Sequence, residues 1–189
     1  MGMFKDQINQ ESLPKHISVI MDGNGRWAKK IGKARIFGHR NGVKAVRETA
    51  EAAAELGIEH LTLYAFSTEN WNRPKLEVSA LMMLLVDTLK KEINTLNKNN
   101  IKLHAIGDLT KLPKKTYKAL MDGIESTKNN TRMTLHLALN YISRWEIIEA
   151  AKKIAVLAKE GKLDPNSVDE TEFDKHLATA GIPDPELLI

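Results

Sequence analysis

The chain has 189 residues, of which 42% are apolar and 28% charged. That length suits one domain with a substantial core, and the composition excludes a disordered chain. It contains no cysteine, which excludes disulfides, thiolate metal sites and cysteine nucleophiles. The longest unbroken apolar run, Ala80 to Val86, is seven residues, whereas a membrane-spanning helix needs about 20. Met1 to Glu11 carries no apolar block of the signal-peptide kind, so export is not expected. The expected location is cytoplasmic, or peripheral at the inner face of the membrane.

The net charge of +4 is unevenly spread. From Lys15 to Arg47 there are nine Lys and Arg and a single acid, Asp22, while the other 156 residues hold 19 basic and 23 acidic side chains. A basic segment on a slightly acidic body attracts phosphate, nucleic acid or anionic lipid, unless it is simply a solvated face.

In chain order, His16 to Met21 reads as a short buried strand, broken by Asp22-Gly-Asn-Gly25. Asn41 to Leu56 reads as a helix with an apolar stripe, stopped by Gly57. Glu59 to Phe66 is a strand, Ser67 to Pro74 is polar and irregular, and Glu77 to Asn97 is a long helix with a broad apolar face. Ile101 to Ile106 is a strand, Lys114 to Lys128 a helix, Met133 to Tyr141 a strand and Ser143 to Lys159 a helix. Val168 to Ala178 reads as a further helix, and Pro185 to Ile189 as the start of a fifth strand. Strands alternating with helices imply an α/β fold with a mostly parallel central sheet flanked by helices. Residues 1–15 are expected to be an N-terminal extension and 16–189 one domain. Ligands of such sheets bind at the carboxyl ends of the strands, which singles out the segments at Asp22, Ser67 and Asp108.

At the first strand end, glycines let a backbone approach an anion and present its N–H groups. A helix starting near Gly25 would make those amides an anion site. Arg26, Arg35 and His39 could converge on the same phosphate, guanidinium pairing with it in a fork. Asp22 could hold a divalent cation that bridges phosphate oxygens. The competing structural reading is a plain turn with Asp22 as helix cap. No Walker ending and no third glycine of a dinucleotide fingerprint is present.

At the second strand end, Ser67-Thr-Glu-Asn-Trp-Asn-Arg73 packs polar and aromatic groups beside a rigid strand, as binding loops do. Asn70 could relay a proton or orient a diphosphate, Trp71 could wall an apolar substrate, and Arg73 could add a phosphate contact. The structural alternatives are a packed Trp71, Ser67 and Thr68 as helix-entry caps, and a solvated Glu69. In the long helix, Leu81 to Leu85 are apolar nearly all round. Such a helix is either simply buried, or packs one face on the sheet and lines a greasy tunnel with another, where methionine adapts to a flexible chain.

His16-Ile-Ser-Val-Ile-Met-Asp-Gly-Asn-Gly-Arg-Trp-Ala-Lys-Lys30, Gly38-His39 and Leu61-Thr-Leu-Tyr-Ala-Phe-Ser-Thr-Glu-Asn-Trp-Asn-Arg-Pro74 closely resemble the cis-prenyltransferases, in particular the bacterial undecaprenyl diphosphate synthases or isoprenyl transferases. Ile106-Gly-Asp108 and Leu139-Asn-Tyr-x-x-Arg-Trp-Glu-Ile147 continue the resemblance. It implies a parallel sheet flanked by helices with a hydrophobic tunnel. It implies an enzyme that condenses isopentenyl diphosphate onto farnesyl diphosphate with cis double bonds, giving a long polyprenyl diphosphate for cell-wall polysaccharide. It further implies Mg²⁺, a homodimer, and delivery of product to the membrane surface. On the same basis Asp22 is the metal-binding catalytic aspartate, and Gly23, Asn24, Gly25, Arg26, Arg35 and His39 bind the allylic diphosphate with Trp27 beside them. Ser67, Thr68, Glu69, Asn70, Trp71 and Arg73 form a loop that orders over the substrates, with Asn70 as proton acceptor.

The family usually has two glycines where this chain has Ile142 and Ser143 before Arg144. The resemblance also implies an Arg-x-x-Gly-Glu-x-Arg segment and a distal metal-binding glutamate beyond Ile189, supplying most contacts to isopentenyl diphosphate. The expectation is that these belong to sequence that follows; a protein of 189 residues would be a severely impaired enzyme. The competing class is a non-catalytic partner subunit of the same fold, against which Asp22, Arg26, Arg35 and His39 argue. A phosphatase would want a second acid where Asn24 stands. A nucleic-acid binder would want stacking platforms, yet the basic segment has only Trp27 and Phe37, so no nucleic-acid partner is expected.

Overall fold

A computed structural model of the protein describes residues 7–189; residues 1–6 of the expected N-terminal extension lie outside the described residues. Five strands, β1 (His16–Ile20), β2 (His60–Phe66), β3 (Ile101–Ile106), β4 (Met133–Leu139) and β5 (Leu187–Leu188), form one sheet in the order β3-β4-β2-β1-β5. Every pairing is parallel, so the carboxyl ends of the strands share one edge. Six helices connect them: α1 (Asn24–Lys30), α2 (Arg35–Leu56), α3 (Lys75–Lys98), α4 (Lys114–Thr127), α5 (Ser143–Lys159) and α6 (Glu170–Asp174).

The alternation expected from the sequence is present, with three differences. Helix α2 begins six residues earlier than Asn41, at Arg35, because Gly38 lets it pass α1 closely. A Cβ on Gly38 would lie 2.0 Å from the carbonyl oxygen of Asn24. Helix α6 is only five residues long, capped by Asp169, whose side chain accepts from Glu172 N–H. Ser67 to Pro74 contains a 3-10 turn over Thr68–Asn72. Gly57 does end α2, at φ 88°, in the left-handed region that favours glycine.

Leu61, Leu63, Ile101, Leu103, Leu135 and Leu137 of the sheet pack with Ala50, Ala53 and Ala54 of α2 and with Val78, Met82, Leu89 and Leu96 of α3. These α3 positions make one buried stripe. Leu81, Leu85 and Thr88 make a second, half-buried stripe one step round the helix, and Met83 points outward at 68% exposure. Helix α2 meets the sheet through alanines, whereas α3 presents leucines. The small side chains leave room that close packing would otherwise fill.

The room is a cleft of about 410 Å³ between α2, α3 and the sheet. Leu135, Leu137 and Leu139 all face it. Near its top, Tyr64 pairs with Ala138 but Phe66 with Leu139, so β2 carries an extra residue. The irregularity turns Tyr64, Ala65 and Phe66 all toward the cleft, as bulges beside sites often do.

Candidate diphosphate and prenyl-chain site

The cleft opens at the carboxyl ends of β1 and β2, where Asp22, Asn24, His39, Ser67, Asn70 and Arg73 line its mouth. Gly23, at φ 86°, makes the left-handed step that starts α1 at Asn24. Asp22 accepts from Gly23 N–H at 2.5 Å and from Arg26 Nη2 at 2.6 Å. Both side chains are open to solvent, 76% and 74% exposed, so neither is committed to the fold. The Asn24 side chain lies against Gly42 of α2, where a Cβ would come within 3.1 Å of it. The Arg35 side chain covers Gly25 at ordinary contact distance.

Sequence reasoning missed the carboxylate at the centre of this group. Glu77, 17% exposed, accepts from Arg73 Nη1 at 3.1 Å and sits 3.8 Å from Arg35 Nη1. Its i,i+4 spacing to Arg73 was visible, but it reads as an ordinary helix pair. Its approach to Arg35 depends on α2 meeting α3. His39 completes the cluster. Burial lowers its pKa first, Arg73 and Arg35 lower it further, and Glu77 opposes them. Neutral at pH 7, the ring can donate one hydrogen bond to an anion.

Asn70 faces the cleft and also caps its own turn, its Oδ1 accepting from Ser67 N–H at 3.1 Å. Trp71 does not face the cleft. Its Nε1 donates to Asn140 Oδ1 at 2.7 Å, its ring meets Phe66 edge-on at 5.0 Å, and with Thr68, Asp108, Lys111 and Trp145 it lines a shallow separate hollow. Asn140 is buried at φ 50° and donates in turn to Asp108 C=O at 3.0 Å. Glu69 is exposed. Trp27 stacks on Phe37 at 6.1 Å, outside the cleft lining. Thus Asp22, Asn24, His39, Ser67, Asn70 and Arg73 are brought together at the mouth with Arg26 and Arg35 at their margin, while Trp27, Thr68, Glu69 and Trp71 lie aside.

Tyr64 and Tyr141 were not singled out by sequence reasoning, and both line the cleft. Tyr141 OH donates to Glu146 Oε2 at 2.5 Å, and Glu146 Oε1 accepts from Thr179 N–H and Oγ1 at 2.9 and 3.0 Å. Burial, and then the Glu146 hydrogen bond, raise the Tyr141 pKa well above the usual phenol range. The ring is therefore a fixed, neutral wall.

No group of three or more His, Cys, Asp or Glu among the described residues makes a metal cage. A single exposed carboxylate at a cationic mouth suits Mg²⁺ nonetheless. That ion keeps several waters and is usually held by one or two carboxylates together with substrate phosphates.

Cations at the mouth and apolar side chains below suit a molecule with an anionic head and an apolar tail. Residues 20–189 match the family model described as "Putative undecaprenyl diphosphate synthase", and the chain belongs to that prenyltransferase family. It is 50% identical over 184 residues to the isoprenyl transferase of Heliobacterium mobile, covering 97% of this chain and 71% of that protein. It is 47% identical over 182 residues to the (2E,6E)-farnesyl-diphosphate-specific ditrans,polycis-undecaprenyl-diphosphate synthase of Vibrio cholerae, covering 96% of this chain and 73% of that one. Among solved structures, lavandulyl diphosphate synthase from Lavandula x intermedia, in complex with dimethylallyl diphosphate, superposes with a TM-score of 0.91 at 37% identity, over 94% of this chain and 77% of that one. The parallel sheet flanked by helices that the resemblance implies is borne out, and so is the family.

Proposed function

We propose that the protein is a cis-prenyltransferase that condenses isopentenyl diphosphate onto farnesyl diphosphate, repeatedly, to give a long-chain polyprenyl diphosphate. One observation carries the reading: a mouth that gathers Arg26, Arg35 and Arg73 around Asp22 and a neutral His39 opens directly onto a 410 Å³, mainly apolar cleft. An open, mainly apolar cleft of that size leaves hydrocarbon facing water until a ligand covers it. The farnesyl tail provides that cover, and its diphosphate is the partner of the arginines.

In this reaction the C–O bond of the allylic diphosphate breaks and the diphosphate leaves with the electron pair. The double bond of isopentenyl diphosphate supplies the new C–C bond, and a C2 proton passes to the departed diphosphate, which restores a double bond. Arg26, Arg35 and Arg73 stabilise the departing charge, and backbone N–H groups at the start of α1 add to them. His39, neutral, donates a hydrogen bond to the same group. Asn70 orients the isopentenyl unit at the point of proton loss, and Ser67 shapes the same wall. Leu81, Leu85 and the strand leucines exclude water from the allylic cation. Asp22 would hold Mg²⁺ when the ion is bound, and the ion would supply charge neutralisation of the leaving group.

The same reading includes residues 16–189 as one domain of the enzyme, a homodimer, and release of product at the cytoplasmic face of the membrane. The exposed Ile147, Ile148 and Val156 on α5 support association with another apolar surface. No helix among the described residues is long and apolar enough to cross a membrane. The test is incubation of the full-length protein with both diphosphates and Mg²⁺, followed by chromatography and proton NMR of the dephosphorylated products. Chains longer than farnesol with new cis double bonds are expected. Trans products, or none, would reject the reading.

A further inference from the structure

Two ion pairs tie α2 to α3 across the open side of the cleft. At the mouth the pair is Arg35 with Glu77. Deeper down, Arg47 and Glu92 form a fork: Arg47 Nε donates to Glu92 Oε2 at 2.8 Å and Arg47 Nη2 donates to Glu92 Oε1. At a rise of ~1.5 Å per residue, the second pair lies roughly 18–22 Å below the first. Both of its members line the cleft, beside Thr88, Thr95 and Leu96, and the Glu92 side chain is 14% exposed.

A charged pair in a mainly apolar wall, with Glu51 beside it, adds nothing to the binding of a hydrocarbon tail, and a half-exposed ion pair contributes little to stability. Its geometric effect is larger. A planar guanidinium engaged through two nitrogens fixes both distance and orientation of its partner, so the fork limits how far the two helices can move apart. The cleft, at about 410 Å³, is at the small end of ligand pockets, ~300–1,000 Å³. A chain extended by several isoprene units outgrows it. The sheet side is closed by leucines in a continuous core, so added volume has to come from parting α2 and α3.

We infer that the Arg47–Glu92 fork is the tether that limits this parting and so determines the chain length at which elongation stalls. The inference rests on the cis-prenyltransferase reading above and adds to it a pair of residues that govern product length from the side wall of the cleft. Neither residue is among the groups placed at the diphosphate site, so departure of the leaving group does not involve them.

Three variants test the tether: Glu92→Gln, which keeps the shape and removes the charge; Arg47→Met, which keeps the apolar stem; and the exchange Arg47→Glu with Glu92→Arg. Two quantities are read for each. One is the product-length distribution from farnesyl and isopentenyl diphosphates. The other is the affinity for two non-reactive prenyl diphosphate analogues, one of farnesyl length and one several isoprene units longer. Each single variant should shift the product distribution to longer chains. It should also bind the long analogue about fivefold tighter, the upper range for releasing a half-exposed pair, while the farnesyl-length analogue binds as before. The exchange should restore both quantities. Unchanged lengths and long-chain affinities in both single variants, with the first condensation intact, would overturn the tether alone. So would single-variant changes that the exchange fails to reverse. An unaltered protein that condenses nothing would overturn the functional reading, and the tether with it.

Discussion

Glu77 stands between two arginines that the proposed reaction needs for its leaving group, and its charge sets the behaviour of the third member of the cluster. Because Glu77 raises the His39 pKa against burial, Arg73 and Arg35, Glu77→Gln should move the His39 titration to still lower pH. Ring NMR on the free protein reads this directly, and an unmoved or raised midpoint would mean that Glu77 does not govern the cluster. Arg35, half-exposed and held only at 3.8 Å, is available to a diphosphate. Arg35→Ala should weaken allylic diphosphate binding by about 1.5–3 kcal/mol, the range of a charge-assisted hydrogen bond, and lysine should restore only part of it because the fork is lost. Calorimetric titration with a non-reactive farnesyl analogue would show whether binding is indifferent to the change. At this scale the sequence was informative wherever chemistry sits in one contiguous segment: Asp22 to Arg26 and Ser67 to Arg73 both reach the same edge of the sheet. It was silent where partners come from separate helices, as with Arg35–Glu77 and Arg47–Glu92, because helix facing across a gap has no local signature.

Helix α1 is held against α2 at Gly38, and this contact positions Asn24 at the mouth. Gly38→Ala places a methyl group 2.0 Å from the Asn24 carbonyl oxygen, so α1 has to move or α2 has to bend. The expected cost is about 1–3 kcal/mol of stability from overpacking, together with weaker diphosphate binding. A variant that melts and binds like the unaltered protein would show that the two helices are not locked there. The sequence places the start of α2 at Asn41 rather than Arg35 for the same reason. A glycine in a basic stretch lowers helix propensity, and only the crossing of α1 explains why it is tolerated. The turn after β2 shows the reverse. Its side chains read in sequence as candidate substrate contacts, but Asn70, Trp71 and Arg73 each have a protein partner through Ser67, Asn140 and Glu77. Trp71→Phe should therefore cost about 1–3 kcal/mol in denaturant unfolding, since it leaves the buried Asn140 oxygen unpaired. A loss below a few tenths would contradict that anchoring.

Across the whole sheet, strand register assembles a feature that no single strand reveals. His16 pairs with His60, and Thr62 and His104 both pair with His136, so four histidines from four strands meet on the sheet. His16 Nε2 lies 2.7 Å from Thr62 Oγ1, and His136 lies 3.0 Å from both His60 and His104. Burial, and then its histidine neighbours, lower the His136 pKa to about 3, and burial also lowers those of His60 and His104. An unfolded chain takes up these protons near pH 6.5 while the folded one resists, so stability is complete above that pH and declines as pH falls toward 3. Melting temperature should drop between pH 7 and pH 5, and His136→Gln should flatten the slope; a slope unchanged in the variant would remove the histidines as its cause. The alternation of strands and helices, and with it the parallel sheet, was legible from hydrophobic period and glycine stops. The cleft was only half legible: the second apolar face of α3 suggested it, but the alanines on α2 that leave room for it lie many residues away in sequence. If this cleft and its mouth form one reaction site, leaving-group departure depends on Asp22. The decisive quantity is the rate of isopentenyl diphosphate incorporation onto farnesyl diphosphate by the full-length protein, with and without Asp22→Ala, at equal melting temperature. Cis-polyprenyl product is expected from the unaltered protein, and a loss of about a thousandfold in the variant, or ~4 kcal/mol of barrier. Incorporation within tenfold of the unaltered rate would contradict a site built on Asp22.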